Sequence, residues 1–302
     1  MKKMRLPIII FLGVAIIGVI LGSFLDLKIS EAIASPNNKF ALATSAIGEN
    51  VGFWAIAFIG GGFIACAIKG NYNKFFKFVF WLIAIGLYAG ALYYAHKSFF
   101  GKNGFYGVAP DWMGYIIAFL PLLCVEALGY YAFKDNQNDK LWIVLLIMLA
   151  VMAAILLGLV NGIKGIMHRP RYRTVSTTEV EFHNWWQRCI NYEDYMNNLG
   201  IGKEEFKSFP SGHTSEAAML LFPCVFMPFA NKKHEKNQLA NFAICALIVL
   251  IVAIARIFAA AHYLSDVSMG ATLMGLGLLI LNEVMIRLKF LHLKEENVIF
   301  NK

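Results

Sequence analysis

The sequence predicts an all-α fold: a polytopic membrane bundle of about eight transmembrane helices, arranged as one domain. The first observation behind this prediction is composition. Hydrophobic residues make up 59% of the 302 residues and charged residues only 15%, whereas soluble domains are roughly 45–50% apolar and about 25% charged. The second is that apolar runs of roughly 20 residues, enough to cross the hydrocarbon core, recur along the chain. These runs must be helical because lipid offers no hydrogen-bond partners to free backbone groups.

The first predicted span is Leu6–Leu25, an uncharged apolar run. A cleaved signal peptide is the alternative, because Ala32–Ala34 resembles a small-residue cleavage site, but the apolar run is too long and Asp26 and Lys28 intervene. Further predicted spans occupy residues 51–68, 76–96, 112–133, 141–162, 214–230, 239–259 and 265–288. We expect residues 1–140 to supply N-terminal membrane helices, 141–290 to form a core that carries the polar motifs, and 291–302 to form a cytoplasmic tail.

Basic residues predict the orientation of the helices. If the N-terminus is cytoplasmic, the inner segments hold fifteen Lys and Arg residues and the short outer loops hold four, which are Lys28, Lys39, Lys97 and Lys102. This positive-inside bias predicts a multi-pass plasma-membrane protein with both termini inside. The other eight basic residues lie on or beside the long connection that follows the fifth span, on the predicted outer face. The positive-inside distribution accounts for much of the net charge of +8. We therefore expect the lipid bilayer as the partner and expect no nucleic acid to bind.

The five cysteines indicate no disulfide framework. Four of them lie in apolar runs, and only Cys189 lies in a long polar loop. Secreted disulfide scaffolds instead place an even number of cysteines at regular spacings in polar sequence. The sequence does not indicate an oligomeric state.

One stretch near the C-terminus places Arg256, His262 and Asp266 at the edge of an apolar segment. Charged side chains are costly at a membrane boundary, so a cluster of three indicates a function. If the stretch is helical, the Asp266 carboxylate lies beside the His262 imidazole one turn later. That arrangement fixes the protonated ring nitrogen and favours nucleophilic attack by the other one. The alternative is an ordinary ion pair on a helix surface.

Two further polar motifs precede this stretch. The fifth span ends with Lys164 and Arg171, and the sixth begins at Ser211, Gly212 and His213. Both ends lie on the predicted outer face, so three cations, two histidines and one aspartate converge there. A helix that starts near Ser211 presents unpaired N–H groups and a positive dipole end, which suits a phosphate. The alternative is a helix cap at Ser211 with basic residues that contact lipid headgroups.

Together the three motifs resemble a known family. Lys164-x6-Arg171, Pro210-Ser211-Gly212-His213 and Arg256-x5-His262-x3-Asp266 are similar, in order and spacing, to the motifs of the type 2 phosphatidic acid phosphatase family. That family is similar in its core to vanadium-dependent haloperoxidases. The resemblance covers roughly residues 141–288, and it departs from the usual pattern at Tyr172, where Pro is common, and at Ala255, where Ser is common.

The resemblance implies a role for each motif residue. His262 would attack phosphorus to form a phosphohistidine, Asp266 would orient His262, and His213 would protonate the departing oxygen. The phosphoryl oxygens would be held by Lys164, Arg171, Ser211, Gly212 and Arg256. We expect no metal and no cofactor, because Asp266 is the only carboxylate in the motifs and divalent ions at phosphate sites need more oxygen ligands.

The sequence therefore predicts an integral membrane phosphatase with an extracytoplasmic site, acting on a lipid phosphomonoester or diphosphate. Undecaprenyl diphosphate, phosphatidylglycerol phosphate and phosphatidic acid all present such a group on an apolar tail, and the motifs do not distinguish them. A phosphotransferase of the same fold is the alternative enzyme. A transporter or structural protein that keeps the fold without the chemistry is the alternative outside enzymology.

Overall fold

The computed structural model describes residues 4–36, 38–100, 111–135, 139–230 and 232–300. Lys2, Lys3, Lys102 and Lys302, which entered the charge count above, lie outside these ranges. The described residues form α-helices and short 3-10 turns, with no β-strand among them. The predicted all-α fold is confirmed.

The helices fall into a longer and a shorter class. The long ones are α1 (Arg5–Ile33), α2 (Lys39–Lys69), α3 (Lys74–Phe100), α4 (Asp111–Phe133), α5 (Asp139–Met167), α10 (Gln238–Phe258) and α11 (Leu264–Phe300). The short ones are α6 (Tyr172–Val175), α7 (Tyr192–Leu199), α8 (Gly212–Ala218) and α9 (Leu221–Ala230). Two 3-10 turns, Lys203–Phe206 and Lys232–Glu235, complete the secondary structure of the described residues.

Six of the described helices are long and apolar enough to cross a membrane: α1, α2, α3, α5, α10 and α11. Helix α4 qualifies only as a shorter apolar helix, at Ala118–Phe133. The span predicted at 214–230 is divided between α8 and α9. The described residues therefore form a helical membrane protein, but the predicted count of eight spans is not confirmed.

A proline explains the break between α8 and α9. Pro223 has no N–H group and cannot donate to the Met219 carbonyl, as the fourth residue along a helix would. The backbone instead makes the tighter bonds from Leu220 N to Ala217 O and from Phe222 N to Met219 O, both at 3.1 Å. The apolar run therefore continues across the bundle but not as one helix.

Helix α2 joins two parts of the bundle. It packs against α3 and α4 on one side and against α8 and α10 on the other, while α1 packs along α11. The main hydrophobic core is built from buried side chains of α2, α5, α9, α10 and α11, among them Phe63, Leu149, Phe226, Val249 and Leu278. The outer helix faces carry many exposed large apolar side chains, which suits contact with lipid.

The connection from 168 to 211 is folded on its own small core. Val180, Cys189 and Phe206 are buried there, and Tyr192 and Tyr195 pack against them. Cys189 is only 1% exposed although it lies in a polar loop. Burial raises the pKa of the Cys189 thiol to about 11, so this thiol is neither accessible nor ionised near neutral pH.

Candidate active site

The motif residues converge where α5 and α10 end and where α8 and α11 begin. His262 is 1% exposed and lies in the non-helical link between α10 and α11. The rings of His213 and His262 have centroids 6.4 Å apart. The residues predicted from three separate motifs thus lie near one another at one end of the bundle.

The imidazole of His262 is anchored by a backbone carbonyl. Its Nδ1 lies 2.7 Å from the carbonyl oxygen of Ser208. A carbonyl oxygen can only accept, so Nδ1 carries the proton and donates it, and Nε2 keeps a free lone pair. Ser208 is itself held in place because its N–H donates to the Arg169 carbonyl at 3.0 Å.

The predicted pairing of His262 with Asp266 takes a different form in the structure. The stretch is not helical at His262, because α11 begins only at Leu264. Asp266 Oδ2 lies 3.7 Å from His262 Nδ1, too far for a good hydrogen bond. It instead accepts from the Ser208 hydroxyl at 2.5 Å and from the Tyr263 N–H at 2.8 Å. Asp266 therefore interacts with the His262 ring through its charge and not through a direct hydrogen bond. It also fixes the backbone next to His262.

The electrostatics of the site keep His262 neutral. Burial lowers the pKa of His262 well below its ordinary value, and the charges of Arg256 and Arg171 lower it further. The Asp266 carboxylate opposes this shift. A neutral imidazole is the form that can attack an electrophile.

Arg171 has one side-chain nitrogen that makes no hydrogen bond within the described residues. Its Nε donates to the Glu204 carbonyl at 3.0 Å and its backbone N–H to the Glu205 carbonyl at 2.9 Å, so the 3-10 turn Lys203–Phe206 positions it. Its Nη1 is buried without a hydrogen-bond partner in the described part of the chain. An unpaired buried donor is costly, and an anion would satisfy it.

The same turn is stabilised by an ion pair. Glu205 accepts from Arg173 and from the Thr174 hydroxyl, the latter at 2.9 Å. Burial raises the pKa of Glu205, but the Arg173 hydrogen bond and the nearby Arg171 charge outweigh burial and hold it below its ordinary value. Glu205 therefore stays ionised, and the turn Lys203–Phe206, which positions Arg171, stays attached to α6.

Lys164 and Gly212 meet at the start of α8. A Cβ atom placed on Gly212 would lie 2.9 Å from Lys164 Nζ, so a larger residue there would displace the ammonium group at the end of the flexible lysine side chain. Arg256, in the last turn of α10, is 2% exposed, and its charge reaches His262. Lys164, Arg171 and Arg256 thus supply three positive charges around the histidines.

Ser211 makes the contacts of a helix cap. Its Oγ accepts from the Thr214 N–H at 3.4 Å and from the Thr214 hydroxyl at 3.1 Å. Its own N–H donates to the Asp266 carbonyl at 2.9 Å. These bonds fix the start of α8 beside α11, and the phosphate contact predicted for Ser211 stays a prediction.

Three residues that support the site were not predicted from the sequence: Ser208, Arg169 and Asp26. The Arg169 guanidinium is fully buried and donates to Asp266 Oδ1 at 2.6 Å and to Asp26 Oδ2 at 2.9 Å. Its Nε donates to the His183 carbonyl at 2.8 Å. Two neighbouring arginines therefore diverge, with Arg169 bound to carboxylates and Arg171 facing the histidines. No sequence signal distinguished Asp26 from a charge that merely ends an apolar run.

The described residues contain no cluster of three or more His, Cys, Asp or Glu side chains that could hold a metal ion. Long apolar helices that gather three cations, two histidines and a carboxylate at one end define a class of protein: a helical membrane protein with a buried, cation-rich candidate site. Residues 140–289 match the PAP2 superfamily, and the chain belongs to it. Comparison with curated proteins and with solved structures gave no significant match.

The match contains all three motifs and excludes α1 to α4. It agrees with the resemblance to type 2 phosphatidic acid phosphatases, and with the membrane helices it supports a membrane phosphatase-type function. It also places Asp26 outside the part of the chain that defines the family.

Proposed function

We propose that the protein is a lipid phosphate phosphatase that works through a phosphohistidine at His262. The observation that carries the proposal is the 2.7 Å contact between His262 Nδ1 and the Ser208 carbonyl, which leaves Nε2 as the nucleophilic nitrogen. The unpartnered Nη1 of Arg171 lies in the same buried site. A neutral nucleophile next to three cations suits attack on an anionic phosphoryl group.

The reaction proceeds in two displacements. In the first, Nε2 of His262 forms a bond to phosphorus while the bond from phosphorus to the lipid oxygen breaks, and His213 gives its proton to that oxygen. In the second, a water molecule attacks phosphorus, the N–P bond breaks, and His213 takes up the proton from water. Orthophosphate leaves, and both histidines return to their starting forms.

The cations stabilise the extra negative charge that the phosphoryl oxygens carry at each transition state. Arg171 and Arg256 present planar guanidinium groups to these oxygens, and Lys164 adds a point charge next to Gly212. In this mechanism all the positive charge comes from side chains and backbone N–H groups, so we propose that the reaction needs no metal ion.

The proposed substrate is a membrane lipid because the site lies where membrane-crossing helices end. Undecaprenyl diphosphate, phosphatidylglycerol phosphate and phosphatidic acid are the candidate classes. The positive-inside bias supports a site on the extracytoplasmic face of the plasma membrane. The proposed enzyme would then act on outer-leaflet lipids.

The test is phosphate release from these three lipids by purified, detergent-solubilised protein. His262→Ala should abolish turnover, while His234→Ala, which removes an imidazole from the 3-10 turn Lys232–Glu235, should leave it unchanged. Retention of near wild-type release by His262→Ala would refute the assigned nucleophile. If a labelled lipid alcohol captures the phosphoryl group in place of water, the enzyme is a phosphotransferase. A wild-type protein with neither activity would refute the proposal.

A further inference from the structure

Asp26 lies in α1, outside the residues that match the family, yet it is built into the site. It is 2% exposed in a helix that crosses the membrane. Its carboxylate accepts from Arg169 Nη2 at 2.9 Å, from the Ser265 N–H at 2.8 Å and from the Ser265 hydroxyl. A buried carboxylate at membrane depth is costly, so the presence of Asp26 with three donors around it calls for a functional explanation.

The surface of α1 is shaped for this contact. Gly18, Gly22 and Asp26 are spaced by four residues and share one face of the helix. A Cβ atom on Gly22 would lie 2.6 Å from the Ser265 nitrogen, and one on Gly18 would lie 2.2 Å from Ser268 Oγ. Small residues at this spacing let two membrane helices approach closely. The first turn of α11, which carries Asp266, is therefore held against Asp26.

The charges of the cluster explain what Asp26 adds. Arg169 donates to both Asp26 and Asp266, and all three side chains are between 0% and 2% exposed. If Asp266 were the only partner, the guanidinium would cancel its negative charge. With Asp26 present, the cluster of one cation and two carboxylates keeps one net negative charge beside His262.

That negative charge matters because the other charged groups facing His262 are positive. Arg171 and Arg256 oppose any positive charge on the imidazole, whereas Asp266 favours it. When Nε2 bonds to phosphorus, the ring becomes a cation. If the cluster of Arg169, Asp26 and Asp266 were neutral and not negative, the energy of the cationic His262 ring would be higher.

We propose that Asp26 is a positioning residue for phosphoryl transfer: it takes up the charge of Arg169, so that Asp266 remains able to stabilise the cation that forms on His262. This inference rests on the proposed function, because it concerns the same nucleophile. Asp26 touches neither the substrate nor the reacting atoms.

The test compares variants of similar size that differ in charge and in one of the two accepting oxygens. Asp26→Asn is compared with wild type, and Asp26→Gln with Asp26→Glu, so that a folding defect in one pair leaves the other to decide. We expect the amide member of each pair to have a kcat about tenfold lower, with KM unchanged. Gly18→Ala is the control for packing, since it crowds the same helix interface without changing charge.

Equal kcat values within both pairs would overturn the inference, and so would a rise in KM at constant kcat, which would indicate a role in binding. A loss of kcat in Gly18→Ala as large as in Asp26→Asn would show that packing is responsible. All values are normalised to folded protein by size-exclusion chromatography. If wild type releases no phosphate from any lipid, the proposed function fails, and that result is distinct from equal kcat values in active variants.

Discussion

Arg171→Met separates the proposed catalytic role of this side chain from its role in folding. In the resting protein the guanidinium makes one side-chain hydrogen bond, from Nε to the Glu204 carbonyl, while Nη1 is buried and unpartnered among the described residues. Methionine fills a similar volume without any donor. The change therefore removes a group that is poorly satisfied at rest and, in the proposed mechanism, well satisfied by the phosphoryl oxygens at the transition state.

The two effects have different magnitudes. Loss of the bond to Glu204 costs about 1 kcal/mol of folding free energy, and removal of an unsatisfied buried donor returns about 1–3 kcal/mol. We expect the free energy of unfolding to stay within about 1–2 kcal/mol of wild type. Loss of one donor to a developing oxyanion lowers kcat about 100- to 1,000-fold.

The assay measures phosphate release and thermal unfolding on the same detergent-solubilised samples, with and without orthovanadate. Orthovanadate should raise the Tm of wild type, since a ligand that binds only the folded state stabilises it, and should raise the Tm of Arg171→Met much less. Wild-type kcat in Arg171→Met would refute the assignment of Arg171 to the phosphate site. A loss of Tm with full activity per folded molecule would show that Arg171 is structural.

Four further predictions follow from the same geometry. The pKa of His262 is lowered in the folded protein. Below about pH 6.5 the unfolded chain therefore takes up a proton that the folded chain does not. Thermal stability should fall as the pH drops below that value, and it should fall less steeply in His262→Asn. His213→Ala should slow lipid substrates with poor leaving groups more than those with good ones, and equal losses would exclude proton donation. Turnover should survive EDTA and be inhibited by orthovanadate, whereas loss restored by magnesium would indicate a metal-assisted reaction. In intact cells an impermeant thiol reagent should label Ile190→Cys, a position 78% exposed, but not Lys233→Cys, and the reverse pattern would place the site in the cytoplasm.

The labelling design shows where sequence reasoning about exposure fails. Cys189 lies in a polar loop and is the native thiol that the sequence suggests for labelling, but its side chain is packed with Val180 and Phe206. A connection of this length can build its own core, and hydropathy along the chain does not reveal which residues enter it. The neighbouring Ile190 takes the exposed position instead.

The proximity of the candidate-site residues was largely predictable because short spacings in the sequence encode it. Lys164 and Arg171 occur near one helix end, and His262 and Asp266 are close in sequence, so local geometry brings them near one another. The contact between Arg169 and Asp26 joins residues 143 positions apart, and that between Ser265 and Asp26 joins residues 239 apart. No local pattern encodes such pairs, which depend on the packing of α1 against α11.

The helical fold followed from composition, but the number of spans did not. The apolar run at 214–230 has the length of a membrane helix, and hydropathy does not register that Pro223 removes a backbone donor. The break at Met219 and Leu220 is a hydrogen-bonding effect in an apolar segment. Counting spans from hydropathy overlooks such effects.

The packing of α1 on α11 sets an order for assembly in the cell. The ribosome makes α1 well before Arg169 and Ser265 exist, so the Asp26 carboxylate enters the membrane without the three donors that later surround it. Until α11 is inserted, Asp26 must remain near the water interface or be protonated, because an isolated ionised carboxylate is costly in hydrocarbon. The candidate site is therefore completed only after the first turn of α11 has been made. A chain truncated before Arg169 would lack all three donors and should leave the Asp26 carboxylate unpaired in the membrane.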